Sequence, residues 1–186
     1  MSRFLHVLAW LSGLSWVAVG AGLSAGVSAA DSHAHKPGHR HVHGEAELEV
    51  SLGPDGRLSG RLKGAMDAFL AFEHAPKTDA QRQQLSGLKT GLQQVSYLLS
   101  ANPEAGCVQT AIQADSALFA ARPDSGHADL EVQFTLQCAK PSELRQITLD
   151  ILKRTGRLKK IELEFVGPKG QAKAVLTPKS PVFKLP

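Results

Sequence analysis

The stretch "AELEVSLGPDGRLSGRLKGAM", residues 46–66, decides the fold. Ala46, Leu48, Val50 and Leu52 alternate with polar residues, the period-2 pattern of a strand with one buried face. Gly53-Pro54-Asp55-Gly56 is a tight-turn signal, after which the apolar pattern returns with Leu58 and Leu62. The stretch reads as a β-hairpin that is polar on one side and needs a cover on the other.

Two later segments repeat this design. "CVQTAIQA" (107–114) and "ADLEVQFTLQC" (128–138) flank the turn-rich tip "ARPDSG". Folded about that tip, Cys107 falls opposite Cys138. Cross-strand partners in a non-hydrogen-bonded pair lie about 4.5–5.5 Å apart, within reach of a disulfide. These are the two cysteines of the chain, and no Cys-x-x-Cys occurs, so a disulfide explains them better than a metal or redox site. "KKIELEFVGPKGQAKAVLT" (159–177) is a third hairpin, with "GPKG" at its tip.

The segment from Thr78 to Ser100 carries Leu85, Leu88, Leu92, Val95, Leu98 and Leu99 at spacings of three and four, which predicts an amphipathic helix. Thr78 and Gln81 fit a capping box, Asp79 suits the first turn, and Gly87 and Gly91 weaken the interior. "PSELRQITLDILKRTGR" (141–157) mixes a cap at Ser142 with strand-like alternation of Ile147, Leu149 and Ile151, so a short second helix is expected within it. The tail "PKSPVFKLP" should run along an edge. The expected class is α+β: antiparallel β-hairpins packed with one amphipathic helix and a short second helix, tied by one disulfide. Residues 45–186 form a single domain, and the repeated hairpin–helix order hints at a distant duplication, 45–105 and 106–186.

Two segments precede this domain. Residues 1–30 have Arg3, an apolar run and the ending "VSAAD", the pattern of a signal peptide cleaved after Ala29 or Ala30. Residues 31–44, "DSHAHKPGHRHVHG", are too polar to bury a core and are expected to form a flexible arm. Processing removes Arg3 and no acid, so the net charge of +4 becomes +3, spread over many cations without a basic block. That balance and export exclude nucleic-acid binding. With no His-Glu-x-x-His, no Gly-x-Ser-x-Gly and both cysteines paired, an enzyme is not expected.

Five of the eight histidines fall between residues 33 and 43: His33, His35, His39, His41 and His43. Imidazole, with an ordinary pKa of ~6.5, is mostly a neutral donor at pH 7. In extended chain, residues i and i+2 point the same way roughly 6.5–7 Å apart, so each His-x-His pair can reach one ion. Zinc closes around imidazole nitrogen at ~2.0–2.1 Å. Copper and nickel also accept it, and spacing does not choose among them. Asp31 could add an oxygen. Taken singly, His74 and His127 are more often structural residues. The alternative function is a non-metal envelope interaction module that binds by a sheet edge and carries an incidental His-rich tail. Deleting residues 31–44 separates the two, since it abolishes most zinc binding under the first reading and changes nothing under the second.

"HVHGEAELEV", "AFEHAPKTDAQRQQL", "AGC", "HADLEVQFTLQC" and "KKIELEFVGPKGQ" together resemble the ZrgA-like family, exported zinc-binding proteins of Gram-negative bacteria long classed as a domain of unknown function. The resemblance covers nearly the whole processed chain. The Phe-Glu-His-Ala-Pro block at 72–76 and the paired cysteines are its most specific parts. It implies periplasmic zinc binding in support of a high-affinity zinc ABC importer, whose binding protein would be the partner. Position by position, it implies metal roles for His41 and His43, for Glu73 and His74, and for His127. Many relatives carry a long His/Asp-rich insertion between the cysteine strands. Here "RPDSGHAD" replaces it, which argues against high-capacity storage and leaves the N-terminal tract as the main source of ligands.

Overall fold

In the computed structural model, which describes residues 43–120 and 126–186, the alternating stretch forms the expected hairpin. Strand β1 (Glu45–Leu52) pairs antiparallel with β2 (Arg57–Ala65), Leu48 lying opposite Leu62. Ala46, Leu48, Val50, Leu58 and Leu62 are buried, while their neighbours along each strand face outward. The expected signal peptide, most of the expected arm (His33, His35, His39 and His41 with it) and most of the 121–126 tip lie outside the described residues.

Chain order continues with α1 (Met66–Leu70), α2 (Asp79–Gly91), α3 (Val95–Leu98), β3 (Ser100–Ala101), β4 (Cys107–Asp115) and β5 (Asp129–Cys138). Then come β6 (Gln146–Thr148), α4 (Ile151–Arg154), β7 (Lys160–Gly167), β8 (Gly170–Leu176) and β9 (Val182–Lys184). The long strands make one six-stranded sheet in the order β4-β5-β2-β1-β7-β8, and β3-β6-β9 make a small second sheet. The chain is α+β with antiparallel hairpins. Cys107 stands opposite Cys138 in the β4–β5 register, and the two are joined by a disulfide. The Pro-rich tail supplies the edge strand β9, with Phe183 opposite Ile147.

One pairing joins hairpins that are far apart in sequence. β1 and β7 run parallel, with Leu48 beside Leu163 and Val50 beside Phe165. Alternation sets which face is apolar but not which strand lies next to which, so the pattern alone does not specify this neighbour. The apolar face of the sheet is covered by the helices and the small sheet, through Met66, Phe69, Leu92, Leu98, Ile147 and Phe183 among others. Each fully buried Leu there contributes roughly 1.5–3 kcal/mol. Gly60 in β2 leaves the space that the Phe134 ring of β5 fills.

The predicted helix over 78–100 is shorter. Its start is as expected: the Thr78 hydroxyl accepts from the Gln81 amide at 3.2 Å, and the Gln81 side chain accepts from the Thr78 amide at 3.3 Å. It ends at Gly91, and a separate turn, α3, follows. The cause is a side chain from β4. Gln109 accepts from the Val95 amide at 2.7 Å and donates to the Gln93 carbonyl at 3.2 Å, tying down the groups that a continuous helix would have used internally. The 141–157 segment is the expected mixture, with a 3-10 turn at Pro141–Glu143, then β6, then α4. No helix of the described residues is long and apolar enough to cross a membrane.

Candidate metal centre

β1 and β5 begin at the end of the sheet where β2 finishes. Ala46 is opposite Gly64, and Ala65 is opposite Asp129. His43 therefore precedes one neighbour of β2 and His127 precedes the other, while the exit from β2 into α1 passes between them. Backbone bonds hold this end. The Met66 amide donates to the Ala128 carbonyl at 2.8 Å, and the Lys159 amide donates to the Gly44 carbonyl at 2.8 Å. Gly44 has φ +79°, and a Cβ there would lie 2.9 Å from the Arg157 carbonyl oxygen, so this position needs glycine.

Each of the two histidines meets a carboxylate. Nδ1 of His43 bonds Oδ2 of Asp67, and Nδ1 of His127 bonds Oε1 of Glu73. The design repeats: the imidazoles are 73% and 88% exposed, whereas the carboxylates are 9% and 20% exposed. An ionised carboxylate only accepts, so Nδ1 carries the proton in both pairs. The third described histidine is fixed in the same way. His74 donates from Nδ1 to the carbonyl of Ala75 at 2.8 Å, and its ring lies 5.8 Å from that of Phe72. When the three rings are neutral, all present a bare Nε2. That is the arrangement in which an oxygen acceptor orients an imidazole for a metal.

Ion pairs line the flanks of this end. Hydrogen bonds that it donates to Glu45 and then Glu162 hold the Lys160 ammonium above its ordinary pKa. Further along the solvated face, Arg61 grips Glu131 with two bonds of 2.8 and 2.7 Å. Those bonds, with help from Gln133, hold the Glu131 carboxyl down at about 2.

The sequence profile described as ZrgA family zinc uptake protein matches residues 40–185. The chain belongs to the ZrgA family. No curated protein matches it. The ZrgA match takes in His41, His43, Glu73, His74, His127 and both cysteines, whereas His33, His35 and His39 precede it.

Of the residues singled out from the sequence, Glu73 and His127 are brought together, and His43 stands at the same end of the sheet. His74 pairs with neither. Among the described residues no three His, Cys, Asp or Glu side chains gather as a metal cluster. Neutral imidazole nitrogen and carboxylate oxygen are both zinc ligands, so the donor chemistry at this end of a ZrgA chain fits the ion. Sequence reasoning missed Asp67. It is the single acid inside "AMDAFLAF", a run otherwise apolar at every position, and that alone does not mark a ligand. The residue is 6% exposed, and its Oδ1 is buried with no hydrogen-bond partner among the described residues.

Proposed function

We propose that this chain is a periplasmic zinc-binding accessory protein, a binder and not an enzyme. It captures Zn²⁺ through the imidazoles of His33, His35, His39, His41 and His43 and through His74 and His127, with Glu73 as a supporting carboxylate. It then passes the ion to the binding protein of a high-affinity zinc ABC importer. Zinc is cargo in this reading, so the site must release as well as hold.

The observation that carries the reading is the common treatment of His43, His74 and His127 in a chain of a zinc uptake family. Each has Nδ1 committed to an oxygen, which leaves Nε2 for an ion. The supply of further donors fits as well. His41 stands two residues before His43, a spacing at which both can reach one ion in extended chain. A site that orders a polar tract on closing loses chain entropy, which keeps affinity moderate and release practical. Protons compete for the same nitrogens, so binding weakens as pH falls below ~6.

The test is calorimetric zinc titration of the processed protein beside three variants: His41→Ala/His43→Ala, His74→Ala, and a deletion of residues 31–42. The reading expects fewer ions bound by the deletion and weaker binding by the substitutions. Zinc binding unchanged in all three would contradict it.

A further inference from the structure

We infer that Asp67 is itself a zinc ligand, and that its buried charge links metal capture to the stability of the fold. This inference rests on the zinc-binding reading above.

The side chain is nine-tenths buried just past the end of β2, among Met66, Ala68, Phe69 and Leu70, all of them buried. Its Oδ2 receives Nδ1–H of His43, and its Oδ1 is sealed from solvent without a partner among the described residues. An asparagine would accept the same His43 bond and would carry no charge. A carboxylate at this place is therefore a liability in the metal-free protein, since a buried ion with half of its hydrogen-bonding capacity unused is strongly disfavoured. A divalent cation removes that liability, and carboxylate oxygen is a normal zinc ligand at about 2.0–2.2 Å. The His43 ring, 73% exposed, lies on this carboxylate. A shift of the ring that keeps its bond to Oδ2 opens Oδ1 to the ion.

The same buried residue thus has two consequences. Zinc should bind more tightly because Asp67 is charged, and the metal-free fold should be weaker for the same reason. A histidine that is merely held in place by an aspartate would give the first consequence through His43 alone.

The experiment uses processed protein stripped of metal. Zinc sulfate is titrated against a competing chromophoric chelator, and melting temperatures are recorded with and without zinc. Asp67→Asn is compared with wild type, and the pair is repeated in a His43→Ala background. The expected result is at least tenfold weaker zinc binding for Asp67→Asn, in both backgrounds. Its metal-free form should melt about 2 °C or more above metal-free wild type, with little further gain from zinc. Equal zinc affinity of Asp67→Asn and wild type would overturn the inference while leaving zinc binding intact. So would a loss that vanishes in the His43→Ala background, since Asp67 would then act only through that ring. An Asp67→Asn chain that does not fold contradicts it too, because the amide should be the more comfortable group there. Wild-type protein that takes up no zinc would overturn the zinc-binding reading and the inference together.

Discussion

The amide of Met66 donates to the carbonyl of Ala128 at 2.8 Å. This bond ties the exit of β2 to the start of β5, so that Asp67 and His127 flank the two residues it joins. Next along the chain from α1, Glu73 takes the other role and receives Nδ1 of His127. The end of the sheet that carries His43, Glu73 and His127 is thus assembled by backbone pairing.

Glu73→Ala should weaken zinc binding about as much as many losses of a group that orients a metal-bound histidine, roughly 10–100-fold. Glu73→Gln keeps an acceptor for Nδ1–H and should lose less. Competition titration of the two variants against wild type reads the difference. Equal affinities for all three would place His127 outside the zinc site.

Gly44→Ala should destabilise the fold by about 1–3 kcal/mol, the usual cost of forcing a side chain into a sparsely populated backbone region. The residue sits at φ +79°, and its new Cβ would press on the Arg157 carbonyl. Urea denaturation measures the loss. A midpoint equal to that of wild type would show that the β1–β7 end yields more easily than its hydrogen bonds imply.

Replacing Cys107 and Cys138 together by serine opens a loop with a sequence separation of 31 residues. By the chain-entropy model the cost is about 3–4 kcal/mol. Thermal melts of the double variant, or of wild type in reductant, should show a lower midpoint while zinc affinity measured well below that midpoint is kept. The bridge lies at the opposite end of β5 from His127, which is why binding should survive.

Glu131 should titrate near about 2, below its ordinary value of 4.5, because Arg61 and Gln133 bond its ionised form. Its folded value is lower than its unfolded one. The stability it adds is therefore complete above pH 4.5 and is lost as pH falls through about 2. Carboxyl-detected NMR of Arg61→Ala should find its midpoint moved up toward 4.5. A midpoint already near 4.5 in wild type would show that the Arg61 fork is not formed in solution.

Much of this architecture was legible in the residues. Alternation from Ala46 to Leu62 with a Gly-Pro-Asp-Gly tip specifies a hairpin and its buried face, because side chains in a strand repeat every two residues. The spacing of Cys107 and Cys138 about their tip gave the register that the disulfide uses. Thr78 and Gln81 marked the start of α2, since capping is local chemistry. Its end was not legible. It depends on Gln109, fourteen residues after Val95 and on another element. The parallel β1–β7 pair was hidden for the same reason. Of the site, the histidines and Glu73 could be named from the sequence, but Asp67 could not. A carboxylate at the start of a helix is ordinary, and it becomes informative only when the fold buries it and leaves one oxygen without a partner.

The central claim is that the exported, processed chain takes up zinc through its histidines, and a calorimetric titration of tag-free protein near neutral pH tests it most directly. The account predicts saturable uptake of Zn²⁺ at micromolar concentrations that fades when the titration is repeated below pH 6. An absence of uptake at pH 7 would contradict it, as would binding that is indifferent to that change of pH.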